Sequence, residues 1–192
     1  MKIAILGGTF NPIHNGHLLI AELVKDEYNL DVVYFIPANI PPHKDFKPII
    51  SDNHRIKLIE LAIESNPHFK ISDIEIKRGG ISYTIDTINY FYSNFDIENR
   101  IFLIIGGDLI KDIYTWKEYD KLLSIVDIVV VNRGNNDVEN NLKEFPFIKT
   151  ISSIKFSVSS TLVRDRISKD LSIKYLVPDR VEEYIKTNKL YK

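Results

Sequence analysis

Gly7-Gly8-Thr9-Phe10-Asn11-Pro12-Ile13-His14-Asn15-Gly16-His17 lies between an apolar strand-like run, Ile3-Ala4-Ile5-Leu6, and a helical pattern that begins near Leu18. A glycine-rich turn between a strand and a helix presents backbone N–H groups at the positive end of the helix dipole, which is a ready seat for phosphate. Glycines there let the backbone approach an anion closely and take unusual dihedrals. Thr9 adds a hydroxyl and an amide. His14 and His17, three residues apart, share one face of the first helical turn and can donate to phosphate oxygens. Their reference pKa of about 6.5 leaves room for an anionic ligand to favour the charged form. Two blander readings stay open: a plain strand–turn–helix with incidental surface histidines, and a zinc site, for which the sequence supplies no third ligand.

Outward from this stretch, strand-like and helical patterns alternate. Runs rich in Ile, Val, Phe and Tyr predict buried strands at Lys2–Leu6, Val32–Pro37, Phe69–Ile76, Ile101–Ile105 and Ile128–Asn132. Helical periodicity falls at roughly 18–28, 52–65, 84–94 and 116–125, the second with Ile56, Ile59 and Ile63 in its apolar stripe and Ser51 or Asp52 as its cap. This alternation predicts an α/β domain with a mostly parallel sheet and right-handed crossovers, covered by helices on both faces. Gly134-Asn135-Asn136-Asp137 reads as an exposed loop, Phe147–Ser152 as a further strand, Ser157–Thr161 as a helix start and Pro178–Ile185 as a capped amphipathic helix. With no internal repeat and no linker, residues 1–192 read as one domain with a helical C-terminal portion.

Composition narrows the function. A net charge of −1 carries none of the basic excess of a general nucleic-acid or membrane-surface binder, so neither partner is expected. The absence of cysteine excludes disulfides and thiolate metal sites. No apolar run approaches the roughly 20 residues of a membrane span, and the apolar part of the N-terminus is too short for a signal peptide. A soluble cytoplasmic protein is expected, with homo-oligomerisation left open.

Further blocks carry chemistry. Pro37-Ala38-Asn39-Ile40-Pro41-Pro42-His43-Lys44 is a stiffened loop leaving the carboxyl end of a strand, where open α/β sheets bind ligands, and Lys44 is a compact positive charge suited to phosphate. In Arg78-Gly79-Gly80-Ile81-Ser82-Tyr83-Thr84, Ser82 or Thr84 caps the next helix, whose first amides suit a carboxylate or a phosphate. Ile104-Ile105-Gly106-Gly107-Asp108 repeats the strand-then-glycine pattern, with Asp108 placed to accept from ribose hydroxyls. Tyr114-Thr115-Trp116 holds the only tryptophan, and an aromatic residue in a helical stretch reads as core. Lys117 and Tyr119 read as surface and packing residues. Arg133, at the end of another strand, could meet a substrate anion or pair on the surface. Ser157-Val158-Ser159-Ser160-Thr161-Leu162-Val163-Arg164 places three consecutive hydroxyls at a helix start and an arginine one turn inside, more than a simple cap requires.

In this order, these blocks resemble the nucleotidyltransferase superfamily marked by His-x-Gly-His and, more closely, the bacterial nicotinate-nucleotide adenylyltransferases. The likeness extends over essentially the whole chain, with Asn11 standing where the family often has Asp. It implies a Rossmann-like fold and transfer of AMP from ATP to nicotinate mononucleotide, giving nicotinate adenine dinucleotide and pyrophosphate in NAD biosynthesis. His14, His17, Lys44 and Arg164 are then the catalytic residues. Gly7, Gly8, Thr9, Phe10, Gly106, Asp108, Ser159, Ser160 and Thr161 hold the nucleotide, with the Ser-Ser-Thr-x-x-Arg element on its β- and γ-phosphates. Tyr83, Thr84, Trp116 and Arg133 hold the pyridine nucleotide. Mg²⁺ is expected to bridge the substrate phosphates without a dedicated protein cage. Pantetheine phosphate, a phosphorylated alcohol or nicotinamide mononucleotide as acceptor, and a nucleotide-binding regulator without turnover, are the competing readings.

Overall fold

The computed structural model describes residues 1–42, 49–132, 148–152 and 157–192. Strands β1 (Ile3–Gly8), β2 (Val32–Pro37), β3 (Phe69–Ile71), β4 (Ile101–Gly106), β5 (Val126–Asn132) and β6 (Lys149–Ser152) form one sheet in the order β3-β2-β1-β4-β5-β6. Every neighbouring pair is parallel. The helices among the described residues are α1 (Asn15–Tyr28), α2 (Asp52–Ile63), α3 (Ile74–Arg78), α4 (Thr84–Asn94), α5 (Tyr119–Ile125), α6 (Ser160–Ser168) and α7 (Asp179–Thr187), with a 3₁₀ segment over Gly107–Thr115.

Strand side chains alternate between faces, and the parity of the sequence divides them into two cores. Ala4, Leu6, Val33, Phe35, Phe102, Ile104, Val129 and Val131 join one core with α1, α2, α6 and α7. Ile3, Ile5, Tyr34, Ile36, Leu103, Ile105, Ile128 and Val130 join the other with α4, α5 and the 3₁₀ segment. Both faces are apolar because both are covered, which explains why these strands read as continuous runs of Ile, Val and Phe. The sheet order reverses between β1 and β4. That is the position where the chain leaves adjacent strands toward opposite faces and opens a crevice at their carboxyl ends.

The structure moves several expected boundaries. Phe69–Ile76 is a three-residue strand followed by α3, not one long strand. The apolar–charged–apolar alternation of Ile74-Glu75-Ile76 imitates a half-buried strand, but Lys77, Arg78 and Gly79 form a helix end. The helical pattern at 116–125 is real only from Tyr119, because Glu118 adopts a left-handed conformation, φ 52°. Helix α1 begins at Asn15, earlier than Leu18, and Ser51 caps α2 by accepting from the backbone N–H of His54. The Gly134–Asp137 loop lies outside the described residues.

Candidate active site

Gly7 and Gly8 end β1 as strand residues, in register with Ile36 and Pro37. The expectation that these glycines supply the unusual dihedrals is therefore corrected: the left-handed residue is Phe10, φ 44°. Gly8 is needed for space, since a Cβ there would come within 3.2 Å of the Phe10 ring. Phe10 itself is 1% exposed and packs in the core against Phe35, with its ring edge-on to His17 at 5.0 Å. Its side chain therefore supports the site from below and does not line the cleft.

His14 is the N-cap of α1, and His17 is the third residue of its first turn. Their rings stack, with centroids 3.7 Å apart. The backbone N–H of His14 donates to Nδ1 of His17 at 3.2 Å, so Nδ1 is an acceptor and the neutral ring carries its proton on Nε2. The fold holds His17 ready as an N–H donor.

Two arginines grip the backbone around Phe10. Arg55, 0% exposed on α2, donates to the carbonyl of Thr9 at 2.9 Å and pairs with Asp52 at 2.6 Å. Arg164, on α6, donates to the carbonyl of Asn11 at 2.7 Å and to Oγ1 of Thr161 at 3.2 Å. Ser160 adds a third clamp, its hydroxyl donating to the Pro12 carbonyl at 2.8 Å. Ser159 caps α6 by accepting from the Leu162 N–H at 3.1 Å. The three hydroxyls thus have separate tasks, and the two histidine and serine motifs, far apart in sequence, are one hydrogen-bonded unit. The amides of Ser160 and Thr161 precede the intrahelical ladder and sit at the positive end of α6.

On the other side of the crevice, the segment after β2 is stitched to the start of α4. The Asn39 N–H donates to Oγ of Ser82 at 2.8 Å, Nδ2 of Asn39 donates to the Gly80 carbonyl at 2.8 Å, and the Ser82 N–H donates to the Ile40 carbonyl at 2.8 Å. Tyr83, not Ser82 or Thr84, is the N-cap of α4, and no side chain caps it. Lys117 is more than a surface residue: it pairs with Asp86 at 3.0 Å and lies 4.7 Å from the centre of the Tyr83 ring. It ties α4 to the segment carrying Trp116, whose indole Nε1 is buried without a hydrogen-bond partner among the described residues.

A single cleft of about 560 Å³ runs between these two sides, a size suited to nucleotide ligands. Gly7, Gly8, Thr9, His14, His17 and Gly106 line its floor and one end. Ser159, Ser160, Thr161 and Arg164 contribute from α6, and Tyr83, Thr84 and Trp116 from the α4 side. Lys44 and Arg133 lie outside the described residues, as does the side chain of Asp108. The cleft also contains Glu75 and Thr87, which the sequence did not single out. Glu75 is 7% exposed, and burial pushes its carboxyl above the usual carboxylate range. No grouping of three or more His, Cys, Asp or Glu that could hold a metal occurs among the described residues. One hard oxygen does fit a divalent cation or its bound water: Oδ1 of Asn11 is buried, lacks a hydrogen-bond partner among the described residues, and belongs to a cleft residue.

The chain matches the cytidylyltransferase-like family model over residues 5–166. It is 39% identical to the nicotinate-nucleotide adenylyltransferase of Bacillus subtilis, over 99% of this chain and 98% of that one. It is 42% identical to a protein of Dictyoglomus turgidum named as a probable enzyme of the same kind, over 100% of this chain and 96% of that one. Among solved structures, the Plasmodium falciparum nicotinic acid mononucleotide adenylyltransferase complexed with NaAD shares the fold at a TM-score of 0.79 and 23% identity, covering 99% of this chain and 97% of that one. Across its full length, the chain belongs to the nicotinate-nucleotide adenylyltransferases within the cytidylyltransferase-like nucleotidyltransferases.

Proposed function

We propose that this protein transfers AMP from ATP to nicotinate mononucleotide. The observation that carries the reading is the joining of the His14/His17 and Ser159–Arg164 motifs into one wall of a cleft whose opposite wall holds Tyr83, Thr84 and Trp116. One wall offers N–H donors and a guanidinium to a polyphosphate. The other offers a plane and helix-start amides to an aromatic ring bearing a carboxylate.

A phosphate oxygen of the acceptor attacks the α-phosphorus of ATP in line. The new P–O bond forms as the bond to the β-phosphate oxygen breaks, and pyrophosphate leaves with that electron pair. The attacking phosphate is already anionic, so the step requires no general base. No covalent enzyme intermediate is needed. Catalysis rests on positioning and on stabilising the charge that gathers on the leaving group. His17 supplies an Nε2–H donor fixed by its Nδ1 contact, and His14 stacks on it. The α6 amides and Arg164 are assigned to the leaving phosphates, and Lys44 is assigned to add a further cation. Gly106 and Asp108, at the carboxyl end of β4, are assigned to the nucleotide, and Arg133 to the pyridine nucleotide. Mg²⁺ carried by the triphosphate would neutralise part of its charge, with Asn11 the cleft residue suited to hold the ion or its water.

Incubation with ATP, Mg²⁺ and nicotinate mononucleotide is expected to yield nicotinate adenine dinucleotide and pyrophosphate in equal amounts. Pyrophosphate without the dinucleotide, or neither product, contradicts the reading.

A further inference from the structure

Glu75 is a buried carboxyl in the cleft that the phosphate chemistry does not use. Its surroundings fix the direction of every hydrogen bond it makes. Arg78, which has only donors, reaches Oγ1 of Thr87 at 3.3 Å, so the Thr87 hydroxyl has its proton free to give and donates it to Oε1 of Glu75 at 2.6 Å. The Asn39 backbone N–H donates to Oγ of Ser82, which lines the same cleft as Glu75. A carboxyl oxygen that accepts completes the Arg78–Thr87 chain. Glu75 thereby ties α3 to the first turn of α4 through Thr87, while Asn39 and Ser82 tie the segment after β2 to the start of the same helix.

We propose that Glu75 is a positioning residue for the acceptor. By taking the hydroxyl proton of Thr87, it holds the start of α4 where the Thr84 and Ile85 amides meet the carboxylate of the pyridine ring. The inference rests on nicotinate mononucleotide being the acceptor. A residue that only supported the fold would affect both substrates alike. One that positions this wall affects the acceptor alone, because the nucleotide wall is clamped separately by Arg55, Ser160 and Arg164.

The test is steady-state kinetics of wild type, Glu75→Gln, Thr87→Val and Thr87→Ser with ATP and nicotinate mononucleotide varied in turn. Thr87→Val keeps the side-chain shape without the hydroxyl, and Thr87→Ser keeps the hydroxyl. Glu75→Gln and Thr87→Val are expected to raise the KM for nicotinate mononucleotide about tenfold and leave the KM for ATP within about twofold. Thr87→Ser is expected to stay within about twofold of wild type for both. An unchanged acceptor KM in Glu75→Gln and Thr87→Val, or both KM values rising together, overturns the role of Glu75 while wild-type turnover leaves the acceptor reading standing. Wild-type protein that releases no pyrophosphate with nicotinate mononucleotide overturns both.

Discussion

His17 shows how a single side chain is prepared for its task before any ligand arrives. Its Nδ1 accepts from the backbone of His14, and its ring is held between the His14 ring and the edge of Phe10. The side chain has little freedom left to lose, so its donor acts at little entropic cost. His17→Ala is expected to lower turnover by roughly 100-fold or more, the effect of removing one preorganised donor to a developing charge. Single-turnover rates at saturating substrates check this, and near-normal turnover in a folded variant contradicts the role. Glu75 shows the opposite balance, a charge kept at a cost. Burial raises its pKa, the Thr87 and Ser82 hydroxyls and the Arg78 charge pull it down, and Asp86, paired with Lys117, pushes it up. An acid whose folded pKa lies above its unfolded value binds its proton more tightly when folded. Its contribution to stability is therefore present at acid pH and lost as pH rises from the unfolded pKa through the folded one. The Tm of Glu75→Gln is accordingly expected to rise relative to wild type as pH rises through that window. Thermal melts from acid to neutral pH measure this, and a difference independent of pH contradicts it.

At the scale of elements, the site is built where α1, α4, α6 and the segment after the 3₁₀ stretch converge on strand ends. Helix α6 is the clearest case: its first turn clamps the loop after β1 through Ser160 and Arg164. Ser160→Ala is expected to raise the KM for ATP about fivefold, the value of one hydrogen bond of about 1 kcal/mol, and to leave the acceptor KM unchanged. Equal KM values for ATP in variant and wild type would detach α6 from that loop's function. The segment after the 3₁₀ turn carries Trp116, and Trp116→Ala is expected to raise the acceptor KM about tenfold through loss of stacking and apolar contact, with ATP unaffected. Unchanged affinity for nicotinate mononucleotide rules out the stack. The long strands were legible in sequence because burial on both faces leaves continuous Ile, Val and Phe runs, and Val32–Pro37 and helix 84–94 match the structure at both ends. Helix α3 was missed because five residues give too few turns for a 3.6-residue period to show, although the basic residues and glycine at its end were a usable stop signal. Arg55 and Glu75 were illegible for a different reason. Each takes its meaning from a partner distant in sequence, Thr9 for the one and Thr87 for the other.

At the scale of the whole molecule, the parallel sheet places β1 and β4 side by side with their chain exits on opposite faces, and the cleft follows from that reversal. The phosphate-seeking wall is anchored to the core shared by α1, α2 and α6, and the acceptor wall to the core shared by α4 and the 3₁₀ segment. On the proposed reading, the substrates meet at the carboxyl ends of the strands, one from each wall. Among the described residues, no helix is long and apolar enough to cross a membrane. The second wall is proposed to read a pyridine ring by its carboxylate. That reading is tested most directly by pyrophosphate release with ATP, Mg²⁺ and either nicotinate or nicotinamide mononucleotide, side by side. The account predicts a kcat/KM for the nicotinate form more than about tenfold above that for the nicotinamide form, since only the carboxylate makes charge-assisted bonds to the helix-start amides. Equal or reversed preference would contradict it.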